Sequence, residues 1–402
     1  MPDVSLAYAR RALLVSLVSQ GMGFTVLFPV LAPLGRQIGM SEIQITTVIA
    51  CSSVTMFFAA PIWGRTSDRW GRKRVLLIGL FGFTLGTVLF NSVLYAGLSG
   101  VLVGGALFGA LVAARVTHAA MMSATMPSSN AYMADITDAA NRTKGMGAAG
   151  AANNIGSILG PAVAGLAVYS MMLPLWVMAA VAFLNGLFVW RVLPEPPRHA
   201  APSRTPRMKY TDRRILPFVI VGVLMFSGNA LVQQTMGFRI QDTLHLSGGE
   251  TARTFGITMM FSAAASLIAQ TLIVQRLTVA PFTLLRIAMP ILIVAFTIMA
   301  VAESQAWFTI AMTVLGFGMG LAGPGFQAGA SLAVSPQEQG AVAGVAGSCG
   351  PLGLALGPLL GGVLYRLHPT LPYESAAVMF AALFVAMFWL ARRVTQHSEQ
   401  AA

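Results

Sequence analysis

Charge is what this sequence lacks most. Asp, Glu, Lys and Arg make up 9% of its 402 residues, against about a quarter in an ordinary soluble domain. A chain so poor in charge cannot keep most of its surface in water, which excludes a typical soluble enzyme or binding domain. Cysteine is nearly missing: Cys51 and Cys349 are the only two. Both fall inside apolar runs, which excludes a disulfide framework and a cysteine zinc site. The five histidines, His118, His199, His245, His368 and His397, are widely scattered. No glycine loop followed by Lys and Ser or Thr occurs, so nothing points to nucleotide-driven work by this chain. The 13 acids all lie in loops, at termini or near the ends of apolar runs. Paired carboxylates inside the apolar body are therefore missing, and with them the case for a membrane enzyme. No cofactor is expected.

What is present is hydrophobic length. Apolar residues are 56% of the chain and the mean hydropathy is +0.74. Runs of about 20 apolar residues, the length that crosses a bilayer core as helix, recur from end to end. A closed barrel would instead show alternating segments of about 10 residues. The runs predict twelve helices, at 12–34, 43–63, 74–96, 103–134, 144–168, 173–193, 215–240, 253–275, 283–302, 306–333, 339–365 and 372–393. The first run is too long for a signal-peptide core and lacks a small-residue cleavage site, so it reads as a retained span.

The net charge of +12 does not call for nucleic acid, because basic residues collect in the cytoplasmic loops of membrane proteins. One set of loops holds Arg10 and Arg11, then the stretch from Arg65 to Arg74, then Arg142 and Lys144. It continues with the arginines and lysine of 191–214, then Arg276 and Arg286, and ends at Arg392 and Arg393. The opposite loops hold Arg36, Arg239, Arg253 and Arg366. Both termini are therefore expected in the cytoplasm, on a multi-pass protein of the inner (cell) membrane. Arg115 alone falls within an apolar run.

The proline-rich basic stretch 194–214 divides the chain into a six-helix bundle at 1–193 and another at 215–402. An internal repeat agrees. GSILGPAVAG at 156–165 aligns without gaps on GLALGPLLGG at 353–362. Gly156, Gly160, Pro161 and Gly165 pair with Gly353, Gly357, Pro358 and Gly362. Duplicated bundles of this kind build secondary transporters, with the substrate near the bilayer midplane. The expected fold is all-α, with twelve transmembrane helices in two bundles related by pseudo-two-fold symmetry.

One loop carries a resemblance. GRTSDRWGRKR at 64–74 is similar to the motif G-x-x-x-D-R-x-G-R-K/R of the major facilitator superfamily. Gly64, Asp68, Arg69, Gly71, Arg72 and Lys73 fill its places, while Thr66 stands where that family often has an apolar residue. The glycine-proline run of the fifth span resembles the antiporter motif of the drug:proton antiporter branch. Arg115 with Asp135 resembles the fourth span of that branch. The resemblance implies that the loop, with Asp135, is a gating cluster that latches onto the eleventh span. It also implies that Gly160-Pro161 and Gly357-Pro358 pack helices between the halves. From capping chemistry, Asp68 is expected at a helix N-terminus, paired with Arg72 or another guanidinium.

An ionisable group inside a span is costly and marks function by default. Arg115 and His118 stand three residues apart on one helical face, and Met122, Thr125 and Ser129 continue it. His118 can carry a proton; Arg115 stays charged. Amides recur in other spans: Gln20 in the first, Asn153 and Asn154 in the fifth, Asn229, Gln233 and Gln234 in the seventh. Gln270 in the eighth and Gln327 in the tenth complete the set. Asn229 and Gln233 share a face, as do Ser262, Ser266 and Gln270. A central cavity rich in amides follows, with protons as coupling ion and a small organic molecule as substrate. Because no acid is central, that substrate is expected to be neutral or anionic: a drug-like compound or a secreted metabolite such as a siderophore. Export by a monomer in the lipid bilayer is the leading expectation. Inward symport, a non-transporting receptor, and Cu(I) transport through His118, Met122 and Met126 are the alternatives.

Overall fold

The computed structural model describes residues 2–137, 142–196, 208–276, 279–335 and 338–400. Among the described residues every regular element is a helix. Eleven are long and apolar enough to cross a membrane: Tyr8–Gln37, Glu42–Trp70, Arg72–Leu98, Gly104–Asp135, Ala148–Val168, Leu173–Val192, Leu216–Leu244, Gly248–Val274, Pro281–Val301, Gln305–Leu332 and Gln339–Leu367. A twelfth runs Leu371–Gln400 and is apolar over Leu371–Met387. Large apolar side chains such as Phe58, Ile62, Leu184 and Val378 are exposed on these helices, as hydrocarbon surroundings require.

Helix starts follow local capping. Ser41 and Gln44 form a reciprocal capping box before the second span. Ser247 and Glu250 do the same for the eighth, which starts that helix at Gly248 rather than at the expected 253. The basic motif is mostly helix, not loop. The second span continues through Asp68 to Trp70, and the third begins at Arg72. Asp68 therefore sits in a last turn, and its expected place at a helix N-terminus is wrong. Glu195 takes that role, accepting from the Lys73 backbone N–H at 3.4 Å. Gly71 makes the whole turn at φ +103°, a conformation that L side chains rarely adopt. The fourth span is broken at Ser123–Ala124 between Gly104–Met122 and Thr125–Asp135.

The described chain forms two compact units. One comprises Met1–Ser203 with Met236–Met260, the other Arg204–Thr235 with Phe261–Ala402. Of the stretch 194–214, residues 197–207 lie outside the described set. In the first unit Leu13, Leu17, Leu76, Leu80, Tyr132 and Val189 form a buried core. Its fifth span lies against its first at Gly156 and Gly160. A Cβ at Gly156 would strike the Val18 carbonyl, and one at Gly160 would strike Thr25 and the Met22 carbonyl. In the second unit the eleventh span meets the seventh in the same manner. There Gly353 lies against Phe226 and Ser227, and Gly357 against Ser227 and Ala230. Pro161 and Pro358 both sit inside continuous helices. Gly362 is buried in the eleventh span, whereas Gly165 has open space around it and begins a short 3₁₀ turn.

Candidate functional site

Arg115 and His118 lie in the first unit, buried against the third span at 8% and 4% exposure. Close approach is possible because Gly86 lets the His118 backbone sit where a side chain would otherwise stand. Arg115 Nη1 is 2.5 Å from His118 Nδ1. A guanidinium only donates, so Nδ1 is the acceptor and the ring proton is on Nε2. That nitrogen faces Thr87 Oγ1 at 3.5 Å. The Thr87 hydroxyl gives its own proton to the Phe83 carbonyl at 2.8 Å, which leaves its oxygen free to accept. Phe83 meets the imidazole edge-to-face at 4.8 Å, and Arg115 lies over Phe90 at 5.6 Å. Among the described residues Arg115 has no carboxylate partner, and its Nε is buried without a hydrogen bond. Asn91, one turn beyond Thr87, is fully buried with neither amide atom bonded. This is a neutral histidine held by an unpaired buried cation, a costly arrangement in a low-dielectric interior.

Of the stripe expected below His118, Met122 and Thr125 both lie beside Phe83, as His118 does. Met122 packs with Phe83 and Ala182 in an apolar cluster. Met126 is 37% exposed. His118 Nδ1 is occupied by Arg115, and among the described residues no group of three or more His, Cys, Asp or Glu is placed to hold a metal; the copper alternative gains no support.

The amides divide into three groups. Gln20 borders an enclosed space of about 10 Å³ with Ser19, Phe83 and Thr125, room for about one water and no organic substrate. Asn153 and Asn154 lie on the fifth span beside the contact with the first, where Gly21 abuts the Asn153 carbonyl; Asn154 is exposed. In the seventh span Asn229 and Gln233 are half-buried and Gln234 is buried. The Gln233 carbonyl oxygen and the Gln234 amide nitrogen are buried without partners. Gln270 lies in the π-helical stretch Ala269–Val274 and donates to Ser266 at 3.1 Å. The face Ser262–Ser266 packs against Gly316 and Gly320 of the tenth span, so its backbone makes a helix contact rather than a cavity wall. Gln327 borders a cavity of about 340 Å³ within the second unit.

At the motif between the second and third spans, Arg72 binds Asp68 at 2.5 Å and Asp135 at 2.9 Å and donates to Ser67 at 2.8 Å. These partners all lie in the first unit. Arg69 is exposed, Lys73 is half-buried, and Gly64 has only Pro127 nearby. A second cluster was not anticipated from sequence, where Arg36 served only as a loop charge. Arg36 ends the first span and binds Glu42 at 2.7 Å and Asp242 at 2.5 Å. It stacks over Phe238 at 4.9 Å. The signal available in sequence was its isolation among the sparse charges of that side, next to Glu42 and opposite Asp242. A third cluster ties Arg214, ahead of the seventh span, to Glu338, ahead of the eleventh, at 2.9 Å, and to Asp212 at 2.8 Å. The bonds from Arg214 and then Ser335 hold the Glu338 carboxyl down at about 2. Arg214 likewise pulls Asp212 below the ordinary range.

Comparison with known proteins adds relatives along the whole chain. The family described as Major Facilitator Superfamily matches residues 13–354 and again 307–402. Multidrug resistance protein 1 of Bacillus subtilis (strain 168) is 25% identical over 375 residues, 92% of each chain. The class C tetracycline resistance protein of Escherichia coli is 25% identical over 404 residues, 96% of each. Among solved structures, the nucleoside transporter NupG aligns at a TM-score of 0.73 with 15% identity, over 95% of this chain and 98% of that one. The human organic anion transporter MFSD10 (TETRAN) aligns at 0.68 with 20% identity, over 95% and 99%. These two likenesses speak for the fold.

Proposed function

The chain belongs to the Major Facilitator Superfamily and is a multi-pass membrane transporter, not an enzyme; on that premise we propose that it exports a small organic molecule by proton-coupled alternating access. The observation that carries the reading is likeness to two bacterial resistance proteins over more than nine-tenths of the chain. The basic loops support cytoplasmic termini and an inner-membrane location. The internal repeat supports two halves, 1–193 and 215–402, joined by the basic linker, with the monomer as working unit.

His118 and Arg115 are the coupling pair. In their contact at 2.5 Å the imidazole uses its one lone pair to accept from the guanidinium. A proton arriving at Nδ1 removes that lone pair and sets two cations side by side, which repel strongly in a low-dielectric interior. Proton uptake and release of Arg115 are then one event. The freed guanidinium seeks carbonyls or an anionic group, and that movement of the fourth span is the coupling step.

The two arginine clusters act as latches at opposite ends. Arg72 with Asp68 and Asp135 serves the cytoplasmic end. Arg36 with Glu42 and Asp242 serves the other, and any opening that parts the end of the first span from the end of the seventh must break it. Inverted membrane vesicles test the export reading. Tetracycline is expected to accumulate under an interior-acid gradient and to leak out when nigericin collapses it. Equal accumulation without the gradient defeats proton coupling, and absence of transport for tetracycline and a wider antibiotic panel defeats export.

A further inference from the structure

We infer that the second unit holds a binding cavity for an uncharged amphipathic molecule, set between the seventh, tenth and eleventh spans; the inference takes its role in transport from the export reading, and its ligand class from the cavity. The volume of about 340 Å³ falls in the range of small-molecule sites. Phe226 and Phe326 form an apolar wall, with their rings edge-to-face at 6.2 Å. Among the described residues no Lys, Arg, His, Asp or Glu borders the space. An ion entering it would lose its hydration with no counter-charge to replace it, so the ligand is neutral.

Its polar groups centre on two carboxamides. Ser331 Oγ donates to Gln339 Oε1 at 2.6 Å, and Gln339 Nε2 donates back to the Ser331 carbonyl at 2.9 Å. That exchange uses one of the two Gln339 N–H groups. Gln327 adds a second, exposed carboxamide on the same cavity. The cavity therefore offers donors, acceptors and aromatic rings together. An acyl chain alone would leave the amides unanswered.

The glycines of the eleventh span carry the inference furthest. Glycine is costly inside a helix because it loses the most backbone freedom on ordering. Gly353 and Gly357 are explained by contact, since a Cβ there would strike the seventh span. Gly347 and Gly350 border the cavity, and a Cβ at either would meet no atom within 4 Å. Packing does not require them. Unlike Gly109, which is just as free of neighbours, these two stand on the cavity wall and leave it its volume.

The test uses the purified full-length chain in lipid nanodiscs and equilibrium binding of four radiolabelled probes. Chloramphenicol and linezolid are uncharged aromatic amides, tetraphenylphosphonium is a permanent cation, and salicylate is an anion. Gly347→Leu and Gly350→Leu fill the cavity. Gly109→Leu, on the fourth span and equally free of neighbours, is the control. At least one uncharged amide is expected to bind saturably and to weaken about tenfold or more in both cavity variants, with Gly109→Leu unchanged and unfolding temperatures alike. Gln327→Leu is expected to weaken the same probe, and the two ions are expected to show no binding sensitive to position 347 or 350. The inference is overturned if neither amide binds saturably, if the cavity variants bind it as well as the wild type does, or if the cation or anion is the probe they displace. Vesicle transport of tetracycline, read separately, reports on export: either result can fail while the other stands.

Discussion

At the scale of single residues, the most consequential group is a guanidinium without a carboxylate. Arg115 is buried, accepts no counter-ion among the described residues and leans on a neutral histidine. Arg115→Ala is expected to abolish transport while membrane insertion stays normal, as read by vesicle flux and by protein level in the membrane fraction. Wild-type flux in that variant would demote the residue to packing. His118→Gln retains a hydrogen-bonding group but no titratable one. It is expected to keep ligand binding and to lose the dependence of flux on the pH gradient. Glu338 permits a separate check outside the spans. Its carboxyl is held at about 2 from an ordinary 4.5, so it favours the folded state fully above pH 4.5 and loses that effect as pH falls toward 2. The gap in unfolding temperature between wild type and Glu338→Gln is therefore expected to be constant from pH 7 to about 5 and to close below 4.5. A gap unchanged at pH 2.5 would mean that the Arg214 contact does not persist in solution.

At the scale of helices, contacts between backbones decide more than side-chain chemistry. Gly71 turns the chain at φ +103°, and an added Cβ would lie 2.5 Å from the Glu195 carboxylate. Gly71→Ala is expected to cost about 1–3 kcal/mol, seen as a lower unfolding temperature in detergent. Gly156→Leu would drive a side chain into the Val18 carbonyl and is expected to be worse than ordinary overpacking of about 1–3 kcal/mol. Gly150→Leu, six residues earlier with nothing within 4 Å, is expected to leave the unfolding temperature unchanged. Equal tolerance of both leucines would contradict the packing of the fifth span on the first. The S-x-x-Q and S-x-x-E spacings at Ser41 and Ser247 carry the capping signal, which hydropathy alone missed when it began the eighth span at 253. The break at 123–124 was not legible, because Thr125 and Pro127 read equally well as an uninterrupted turn until Gly79 of the third span was found against Thr125.

At the scale of the whole molecule, the proposed alternating access needs latches that hold and release. The Arg36 cluster is only partly shielded, with 23% of the arginine side chain exposed, so its contribution is about 1 kcal/mol or roughly a fivefold change in population. Arg36→Gln is expected to lower turnover several-fold with probe affinity nearly unchanged. Asp68→Asn is expected to do the same from the motif between the second and third spans. A pure loss of affinity at unchanged saturating turnover, in either variant, would show that these arginines serve binding rather than cycling.

The order of spans, their number and the doubled glycine-proline pattern were readable from the sequence by itself, as was the uneven distribution of basic residues among the loops. Hydropathy, charge asymmetry and internal similarity run along the chain and need no third dimension. Only the tertiary structure decided which polar groups meet. It joined Arg36 to Asp242, 206 residues away, gave His118 its tautomer through Arg115 and Thr87, and turned Ser262 and Ser266 toward a neighbouring helix. It also separated two kinds of glycine in one span, those that touch and those that leave room. Each of these depends on what stands opposite a helix face, and the facing helix comes from a distant part of the chain.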